Sequence, residues 1–258
     1  MSESTTGIRR RALDAQLLVG AFLQTGSAVA AEIASTTGID WALIDLEHGA
    51  GTEAELVGQL HALGTGPVAG IVRVESLSRL RVGRALDLGA AGVMVPQINT
   101  PEDARELASF VRYQPSGARG VALSARGAGY GTARHGDLDR ISDSIITIAQ
   151  IETRLAVDNA PKIAATDHID VLFVGPSDLS HSLGVPGQFE SRVFAEALDS
   201  VAAAARSASK ALGVHIPSIS EFDRYHSRGF RFISVGADGT AVASGLRAAV
   251  QSAREKAR

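Results

Sequence analysis

Apolar runs and amphipathic stretches alternate along the chain. In each apolar run the apolar residues are continuous and do not alternate with polar ones, which predicts a buried strand. In the stretch that follows, apolar residues recur every three to four positions, which predicts a helix. The predicted strands are 17–23, 41–46, 68–74, 92–98, 145–151, 171–174, 212–216 and 230–235. The helices that follow them are predicted near 27–36, 52–63, 78–88, 101–111, up to about 165, up to about 211, 220–227 and 240–256.

Continuous apolar strands that alternate with helices indicate a parallel sheet with helices packed on it. Eight such units in 258 residues predict a single-domain (β/α)8 TIM barrel over residues 1–258, with about 1–14 as an N-terminal extension or first helix. A doubly wound open sheet is the alternative, but no strand is followed by a G-x-G-x-x-G segment. Residues 113–140 are expected to form a long loop rich in glycine and arginine.

Polar residues that are unusual in strands stand at the predicted strand ends. They include an imidazole, a guanidinium, amides and several carboxylates: Asp45, Glu47, His48, Arg73, Gln97, Gln150, Glu152, Ser177, Asp178, His215 and Asp238. Active sites of such barrels lie at the carboxyl ends of the strands. The sequence therefore predicts a catalytic rim at that end.

Two carboxylates on that rim are candidates for a metal site. Glu152 follows the fifth strand and Asp178 follows the sixth, so their side chains should converge above the sheet. Oxygen ligands suit a hard divalent cation. The alternative is that both acids merely stand near helix N-termini, where negative charge is favourable.

Composition excludes several classes of protein. With 21% charged residues and a net charge of −3, the chain has no basic field for nucleic acid. No apolar run approaches the roughly 18 residues of a membrane span. Cysteine is absent, which excludes disulfides, thiolate nucleophiles and cysteine metal sites. Residues 1–11 lack the apolar core of a secretory signal, so a cytoplasmic location is expected.

The few lysines restrict the chemistry further. Lys162, Lys210 and Lys256 are the only ones, and all fall within or at the ends of predicted helices. A Schiff-base mechanism needs a lysine amine in the barrel mouth. A carbonyl substrate would therefore have to be activated by a metal acting as a Lewis acid.

Six short segments occur in one order at plausible strand ends. They are Asp45-Leu-Glu-His-Gly, Ile71-Val-Arg-Val, Leu86-Asp-Leu-Gly-Ala-Ala-Gly-Val-Met-Val-Pro, Arg119-Gly-Val, Gln150-Ile-Glu-Thr and Gly175-Pro-Ser-Asp-Leu-Ser. Together they resemble the HpcH/HpaI aldolase family over nearly the whole chain. That resemblance implies class II, metal-dependent aldolases that form or cleave 4-hydroxy-2-oxo acids, with pyruvate as one partner and an aldehyde as the other.

The resemblance also implies roles for individual residues. Glu152 and Asp178 would ligate Mg²⁺, Mn²⁺ or Co²⁺. Arg73 would contact the pyruvate oxygens, and Gln150 would orient the metal ligands. The backbone at Gly175, Pro176, Ser177 and Asp178 would cradle the pyruvate carboxylate.

Proton transfer is assigned to His48, whose reference pKa of about 6.5 suits work near neutral pH. Asp45 or Asp87 could fix its tautomer, and the sequence leaves that choice open. A histidine that only binds backbone is the alternative for His48, and a salt bridge to Glu47 is the alternative for Arg73. In the long loop, Arg126 best matches a family arginine near the aldehyde end of the pocket; the loop's arginines could equally brace subunit contacts.

One rim residue departs from the family pattern. His215 stands where an apolar residue is usual, and strand parity with Gly213 directs it into the barrel mouth. We expect it to shift the aldehyde preference toward a polar or acidic acceptor; a hydrogen-bonded core histidine is the alternative.

Two other functions stay open from the sequence. One is a citramalyl- or malyl-CoA-type lyase on the same barrel, and the other is a catalytically silent barrel that acts as a binding protein. The resemblance further implies a dimer-based homo-oligomer, up to a hexamer, whose last helix is exchanged between subunits. Besides the small-molecule substrate and other copies of the chain, no nucleic-acid or membrane partner is expected.

Overall fold

The computed structural model describes residues 3–64 and 66–257, with side chains from residue 7 onward. Met1 and Ser2 of the predicted N-terminal segment lie outside the described residues. The strands are β1 Leu18–Leu23, β2 Trp41–Asp45, β3 Ala69–Arg73, β4 Gly92–Val95, β5 Ile146–Ile151, β6 Val171–Val174, β7 Ala211–Ile216 and β8 Phe232–Ala237. The helices are α1 Glu3–Leu13, α2 Ala28–Ser35, α3 Glu53–Leu63, α4 Arg79–Asp87, α5 Pro101–Val111, α6 Leu138–Ser144, α7 Arg154–Ala164, α8 Pro176–Ser182, α9 Arg192–Ser207, α10 Phe222–His226 and α11 Asp238–Lys256.

The strands pair in sequence order into a closed barrel, β1 to β8, and β8 returns to β1. Every described pairing between neighbouring strands is parallel. The predicted (β/α)8 barrel is thus confirmed. Closure removes the open sheet edges that the doubly wound alternative would have had.

The continuous apolar runs are explained by burial on both faces of the strands. β2, β3, β4, β5 and β6 are buried at every position. One set of side chains fills the barrel interior, where the rings of Trp41 and Phe232 stack with centroids 4.1 Å apart. The other set packs against the surrounding helices. A strand with one solvated face would have shown alternation instead.

Threonine side chains fix the start of several helices just after the strands. Thr52 and Thr100 each form a capping box with an acidic residue three positions later, and Thr153 accepts from the backbone N–H of Ala156. These caps hold the loops after β2, β4 and β5 close to the strand ends. The site residues in those loops therefore have fixed backbone positions.

Two segments differ from the sequence prediction. The predicted loop 113–140 contains a short 3-10 turn, Arg126–Ala128, and leads into helix α6, which was not predicted. The single helical segment predicted after β6 is two helices, α8 and α9, separated by Gly184 and Gly187, both at positive φ. Glycine adopts that conformation without strain, so the helix ends there.

Candidate active site

A cavity of about 230 Å³ opens at the carboxyl ends of the strands. Its walls come from the ends of β1, β3, β5, β6 and β7 and from the loops after β2 and β6. Eight of the predicted site residues line it: His48, Arg73, Gln150, Gly175, Pro176, Ser177, Asp178 and His215. The structure therefore brings together residues that are up to 167 positions apart in the sequence, as the strand-end rule predicts.

Arg73 and Asp45 form a buried ion pair at the bottom of this cavity. Arg73 Nε lies 2.8 Å from Asp45 Oδ1, and Arg73 Nη2 lies 2.6 Å from Asp45 Oδ2. Gln24 Nε2 also donates to Asp45 Oδ2, at 3.0 Å. Burial alone would raise the pKa of Asp45, but the hydrogen bonds and charge of Arg73 outweigh it and hold that pKa below its ordinary value. Asp45 is thus an anion that fixes the guanidinium.

A second network holds the Glu152 carboxylate. Glu152 Oε1 accepts the backbone N–H of Gln97 at 2.9 Å, and Glu152 Oε2 accepts from the amide of Gln150. Gln150 Oε1 in turn lies 3.5 Å from Arg73 Nη1. Gln150 therefore connects the acid to the guanidinium.

The surroundings of Glu152 disfavour the charged form of its carboxyl group. Burial, and next the negative charge of Asp178, raise the pKa of Glu152 to about 7. In the described residues, no cluster of three or more histidine and acidic side chains could enclose a metal ion. The two carboxylates could still hold a divalent cation that takes its other ligands from water and substrate, as Mg²⁺ commonly does.

The loop that begins α8 approaches Glu152 closely. A Cβ on Gly175 would stand 2.8 Å from Glu152 Oε2 and 3.0 Å from the side-chain nitrogen of Gln150. Only glycine fits there without displacing these side chains. Asp178 follows in the first turn of α8 and is exposed to the cavity mouth.

His48 lies at the open side of the cavity. Its backbone N–H donates to Asp45 Oδ1 at 3.3 Å, whereas its ring Nε2 lies 3.9 Å from Glu47 Oε2. The expected contact of Asp45 with the imidazole is therefore wrong in this structure, because both Asp45 oxygens face Arg73. The acid beside the ring is Glu47.

Glu47 is a site residue for which only a contact with Arg73 was predicted. Its Oε2 lies 3.2 Å from Arg73 Nη1, confirming the predicted contact, but finds no hydrogen-bond partner with good geometry among the described residues. Burial raises the pKa of Glu47, and the charge of Arg73 opposes that rise. Glu47 thus stands between the guanidinium and the imidazole.

His215 faces the cavity, as strand parity predicts. Its Nδ1 lies 3.1 Å from Ser234 Oγ, and its ring packs on Phe22 with centroids 4.7 Å apart. Phe22 also lies under the guanidinium of Arg73, at 5.2 Å. Burial, and next the charge of Arg73, lower the pKa of His215 to about 4. His215 is therefore a neutral, polar part of the wall near pH 7.

Two predicted residues do not reach this site within the same chain. Asp87 ends α4, and Arg126 packs against the carboxyl end of α3, so both lie at the amino-terminal end of the barrel. Asp87 accepts from Arg119 at 3.4 Å, and Arg126 donates to the Leu60 carbonyl at 3.3 Å. The prediction that Asp87 could fix the tautomer of His48 is wrong within one chain. The helices run antiparallel to the strands, so α4 ends at the rim opposite His48. The same reason separates Arg126 from the cavity of its own chain.

Gln24 and Phe22 also line the cavity, although neither was predicted to do so. Both come from the end of β1, whose terminal residues were not included among the polar strand ends. Gln24 is polar and directly follows the apolar run, so the strand-end rule could have found it. Asp238, which was included, accepts from the backbone N–H of Gln24 at 2.9 Å and fixes that residue.

Comparison with known proteins agrees with this geometry. The sequence profile of the HpcH/HpaI aldolase/citrate lyase family matches residues 18–245. The chain belongs to that family. It is an aldolase-type carbon–carbon lyase.

Relatives in the family are similar over nearly their full lengths. The chain is 35% identical to a hydroxypyruvate/pyruvate aldolase from Paraburkholderia phytofirmans, over 98% of this chain and 100% of that protein. It is 32% identical to a 2-keto-3-deoxy-L-rhamnonate aldolase from Escherichia coli, over 91% and 88% of the two chains. The crystal structure of an HpcH/HpaI aldolase/citrate lyase family protein from Burkholderia cenocepacia superposes with a TM-score of 0.92 at 35% identity, over 96% and 99%.

None of the helices in residues 3–64 and 66–257 is both long enough and apolar enough to cross a membrane.

Proposed function

We propose that this HpcH/HpaI family member is a class II aldolase that reversibly cleaves 4-hydroxy-2-oxo acids into pyruvate and an aldehyde. The observation that carries the proposal is the closeness of two carboxylates: Asp178 lines the cavity, and Glu152 lies buried directly behind the cavity residues Gln150 and Gly175, near enough for the charge of Asp178 to act on it. Arg73, which Asp45 fixes, lines the same cavity. The names of the relatives support the substrate class, since they include pyruvate and keto-deoxy-sugar acid aldolases.

The residues fit a divalent cation. Glu152 and Asp178 supply oxygen ligands, and their mutual repulsion would be relieved by a positive ion between them. When bound there, Mg²⁺, Mn²⁺ or Co²⁺ would supply Lewis-acid stabilisation of the negative charge that develops on the substrate's keto oxygen. Gln150 and the Gln97 backbone would keep the Glu152 carboxylate in its orientation.

Arg73 stabilises charge without having to reorganise during the reaction. Asp45 contacts the Nε and Nη2 atoms of Arg73. The Nη1 atom is therefore left to face the cavity, with Gln150 and Glu47 beside it. Cleavage breaks the C3–C4 bond and moves that electron pair toward the keto group, where negative charge accumulates. A guanidinium already fixed at that place favours the transition state more than the ground state.

His48 transfers protons on the open side of the cavity. In the cleavage direction it accepts the proton of the C4 hydroxyl, directly or through a water, as the C3–C4 bond breaks and the aldehyde C=O forms. The protonated ring then returns a proton to C3 of the pyruvate enolate, which restores neutral His48. Its ring is reachable by substrate, since 62% of the side chain is exposed. Glu47 is the acid beside the ring, with its Oε2 3.9 Å from Nε2.

The acceptor end of the cavity is formed by His215 and Phe22. Neutral His215 adds a polar group beside an aromatic wall, which supports a preference for an aldehyde that can hydrogen-bond. Replacing His215 with Leu and measuring a range of aldehydes checks this assignment. An unchanged acceptor profile would remove it.

The last helix is suited to pack on another copy of the chain. α11 has no buried residue along its length within the described part of the chain, although Val242, Leu246 and Val250 form one apolar face. A helix with an apolar stripe needs cover from another surface. We therefore place α11 at a subunit contact, with a dimer as the basic unit.

Pyruvate release from a racemic 4-hydroxy-2-oxo acid tests the function. Activity should vanish after chelation, return with Mn²⁺, Mg²⁺ or Co²⁺, and be absent in Glu152→Ala. Activity indifferent to chelation would overturn the metal site. No release under any metal, with cleavage of a citramalyl- or malyl-CoA thioester instead, would replace the aldolase by the lyase; no activity on either would indicate a silent barrel.

A further inference from the structure

The Asp45 carboxylate, which fixes Arg73, is itself fixed from two sides. Its Oδ1 accepts the backbone N–H groups of Glu47 and His48, at 3.2 and 3.3 Å, in the loop after β2. Its Oδ2 accepts the side-chain amide of Gln24 at 3.0 Å, from the end of β1. The Gln24 amide therefore orients the carboxylate oxygen that the backbone of the loop does not bind.

The main chain of Gln24 lies just beyond the sheet. β1 last pairs with β8 at Phe22 and with β2 at Leu23, so the backbone groups of Gln24 need partners of another kind. Its carbonyl accepts the N–H of Ala50 at 2.7 Å, and its own N–H donates to the carboxylate of Asp238 at 2.9 Å. These two bonds fix the direction in which the Gln24 side chain leaves the main chain.

Asp238 is the first residue of α11, yet its carboxylate makes most of its contacts outside that helix. Its Oδ1 accepts from Gln24 and, at 2.8 Å, from the N–H of Gly239. Its Oδ2 accepts the backbone N–H of Thr25 at 3.2 Å and the Thr25 hydroxyl. An acid that only stabilises a helix start binds the N–H groups of its own helix. Most of the bonds of Asp238 go instead to the end of β1.

We propose that Asp238 is a positioning residue for the aldolase reaction and acts through Gln24. Asp238 fixes the main chain of Gln24, and the Gln24 amide in turn fixes Asp45. Asp45 then presents Arg73 to the keto oxygen of the substrate. Asp238 is not one of the described residues that line the cavity, so its effect on the reaction is indirect. The kinetic part of this inference rests on the proposed function.

Pyruvate release by two variants at saturating Mn²⁺ tests the proposal. Gln24→Met keeps the length of the side chain and removes its donor, and Asp238→Ala removes the carboxylate from a position where alanine suits the helix. Each should lower kcat about tenfold and change KM by less than about twofold, because a loosened Arg73 weakens the transition state more than the bound substrate. A parental kcat, or a loss confined to KM, in either variant would overturn the proposal.

The double variant tests whether Asp238 acts through Gln24. In the Gln24→Met background, Asp238→Ala should lower kcat by less than about twofold more, because residues of one network are not additive. Separate losses that multiply to about 100-fold would contradict the proposed chain of contacts.

The matched control is Ser191→Ala, which also removes an acceptor at a helix start. Ser191 accepts the backbone N–H of Phe194 at the beginning of α9, and its variant should keep the parental kcat. An equal loss in this control would show a general effect of weakened helix starts and would overturn the specific role of Asp238.

Crystal structures of the parent and Asp238→Ala test the contacts without any activity. The Gln24 amide should move beyond about 3.5 Å from Asp45 Oδ2 in the variant and stay hydrogen-bonded in the parent. An unmoved amide in the variant would contradict the proposal, whether or not the parent releases pyruvate. A parent without pyruvate release, in which the amide moves on substitution, would instead remove the proposed function and keep Asp238 as the residue that positions Gln24.

Discussion

Arg73 and Asp45 face each other through two parallel contacts of 2.8 and 2.6 Å, with 7% of the Arg73 side chain and none of the Asp45 side chain exposed. This bidentate pair links the ends of β2 and β3, which are themselves in register at these two residues. The pair therefore combines a structural role, joining neighbouring strands, with the placement of the guanidinium in the cavity.

Removing the charge of Asp45 should affect both roles. In Asp45→Asn the buried guanidinium loses its main counter-ion, so we expect a loss of about 3 kcal/mol in the free energy of unfolding. We also expect kcat/KM to fall about 100-fold, because Arg73 is no longer fixed. Urea unfolding and pyruvate release measure the two effects.

The matched control is Glu102→Gln, which breaks the exposed pair with Arg105. An exposed pair contributes little, so stability should change by less than about 1 kcal/mol and activity should stay at the parental level. If Asp45→Asn behaved like this control, the pair would have no role in fixing the site.

Substitution of Gly175 should damage the metal-ligand geometry while leaving the barrel folded. The Cβ of Gly175→Ala would displace the Glu152 carboxylate or the Gln150 amide, since it would stand within 3.0 Å of both. We expect weaker activation by Mn²⁺ and a fall of about tenfold or more in kcat/KM. Gly83→Ala in α4, where nothing lies within 4 Å, is the control and should be neutral or stabilising by about 1 kcal/mol. Equal activity of the two variants would contradict the close approach.

His215 should make the protein less stable in acid. Its pKa is about 4 in the folded chain and about 6.5 when unfolded, so between these values the unfolded state binds more protons. The stability contribution is therefore complete above about pH 6.5, is lost as the pH falls toward 4, and changes no further below 4. The loss is at most about 3 kcal/mol.

Urea unfolding of the parent and His215→Gln at pH 7, 6 and 5 checks this sign. The parent should lose more stability on acidification than the variant does, and the difference should widen toward pH 5. His61→Gln, on the exposed side of α3, serves as the control and should follow the parent. Parallel curves for the parent and His215→Gln would mean that His215 does not titrate as proposed.

The apolar face of α11 should control the oligomeric state. Leu246→Glu places a charge in the centre of that face, so we expect the assembly to dissociate in light-scattering measurements coupled to gel filtration. Ser252→Glu, on another side of the same helix, should leave the mass unchanged. A monomeric parent protein would contradict the proposed subunit contact.

The sequence predicted the barrel because the patterns that identify its strands and helices are local features of the sequence. Strands buried on both faces read as continuous apolar runs, and helices that cover a barrel keep one apolar face, so period and spacing identify both. The errors fall where local signals are weak, as in α6, whose seven residues carry few apolar positions, and in the division between α8 and α9. The strand-end rule likewise found Arg73, Glu152 and Asp178, because parallel strands expose their carboxyl ends at one rim.

Only the tertiary structure decided which of these polar groups pair. Asp45 and Glu47 both stand within three positions of His48 in the sequence, and Arg73 ends the next strand. The register of β2 and β3 directs Asp45 to Arg73 and leaves Glu47 beside the imidazole. The packing of the long loop placed Arg126 at the opposite end of the barrel, together with Arg119. A sequence determines the type and order of elements through local periodicity, whereas contacts between residues far apart depend on register, loop path and packing, which local periodicity does not encode.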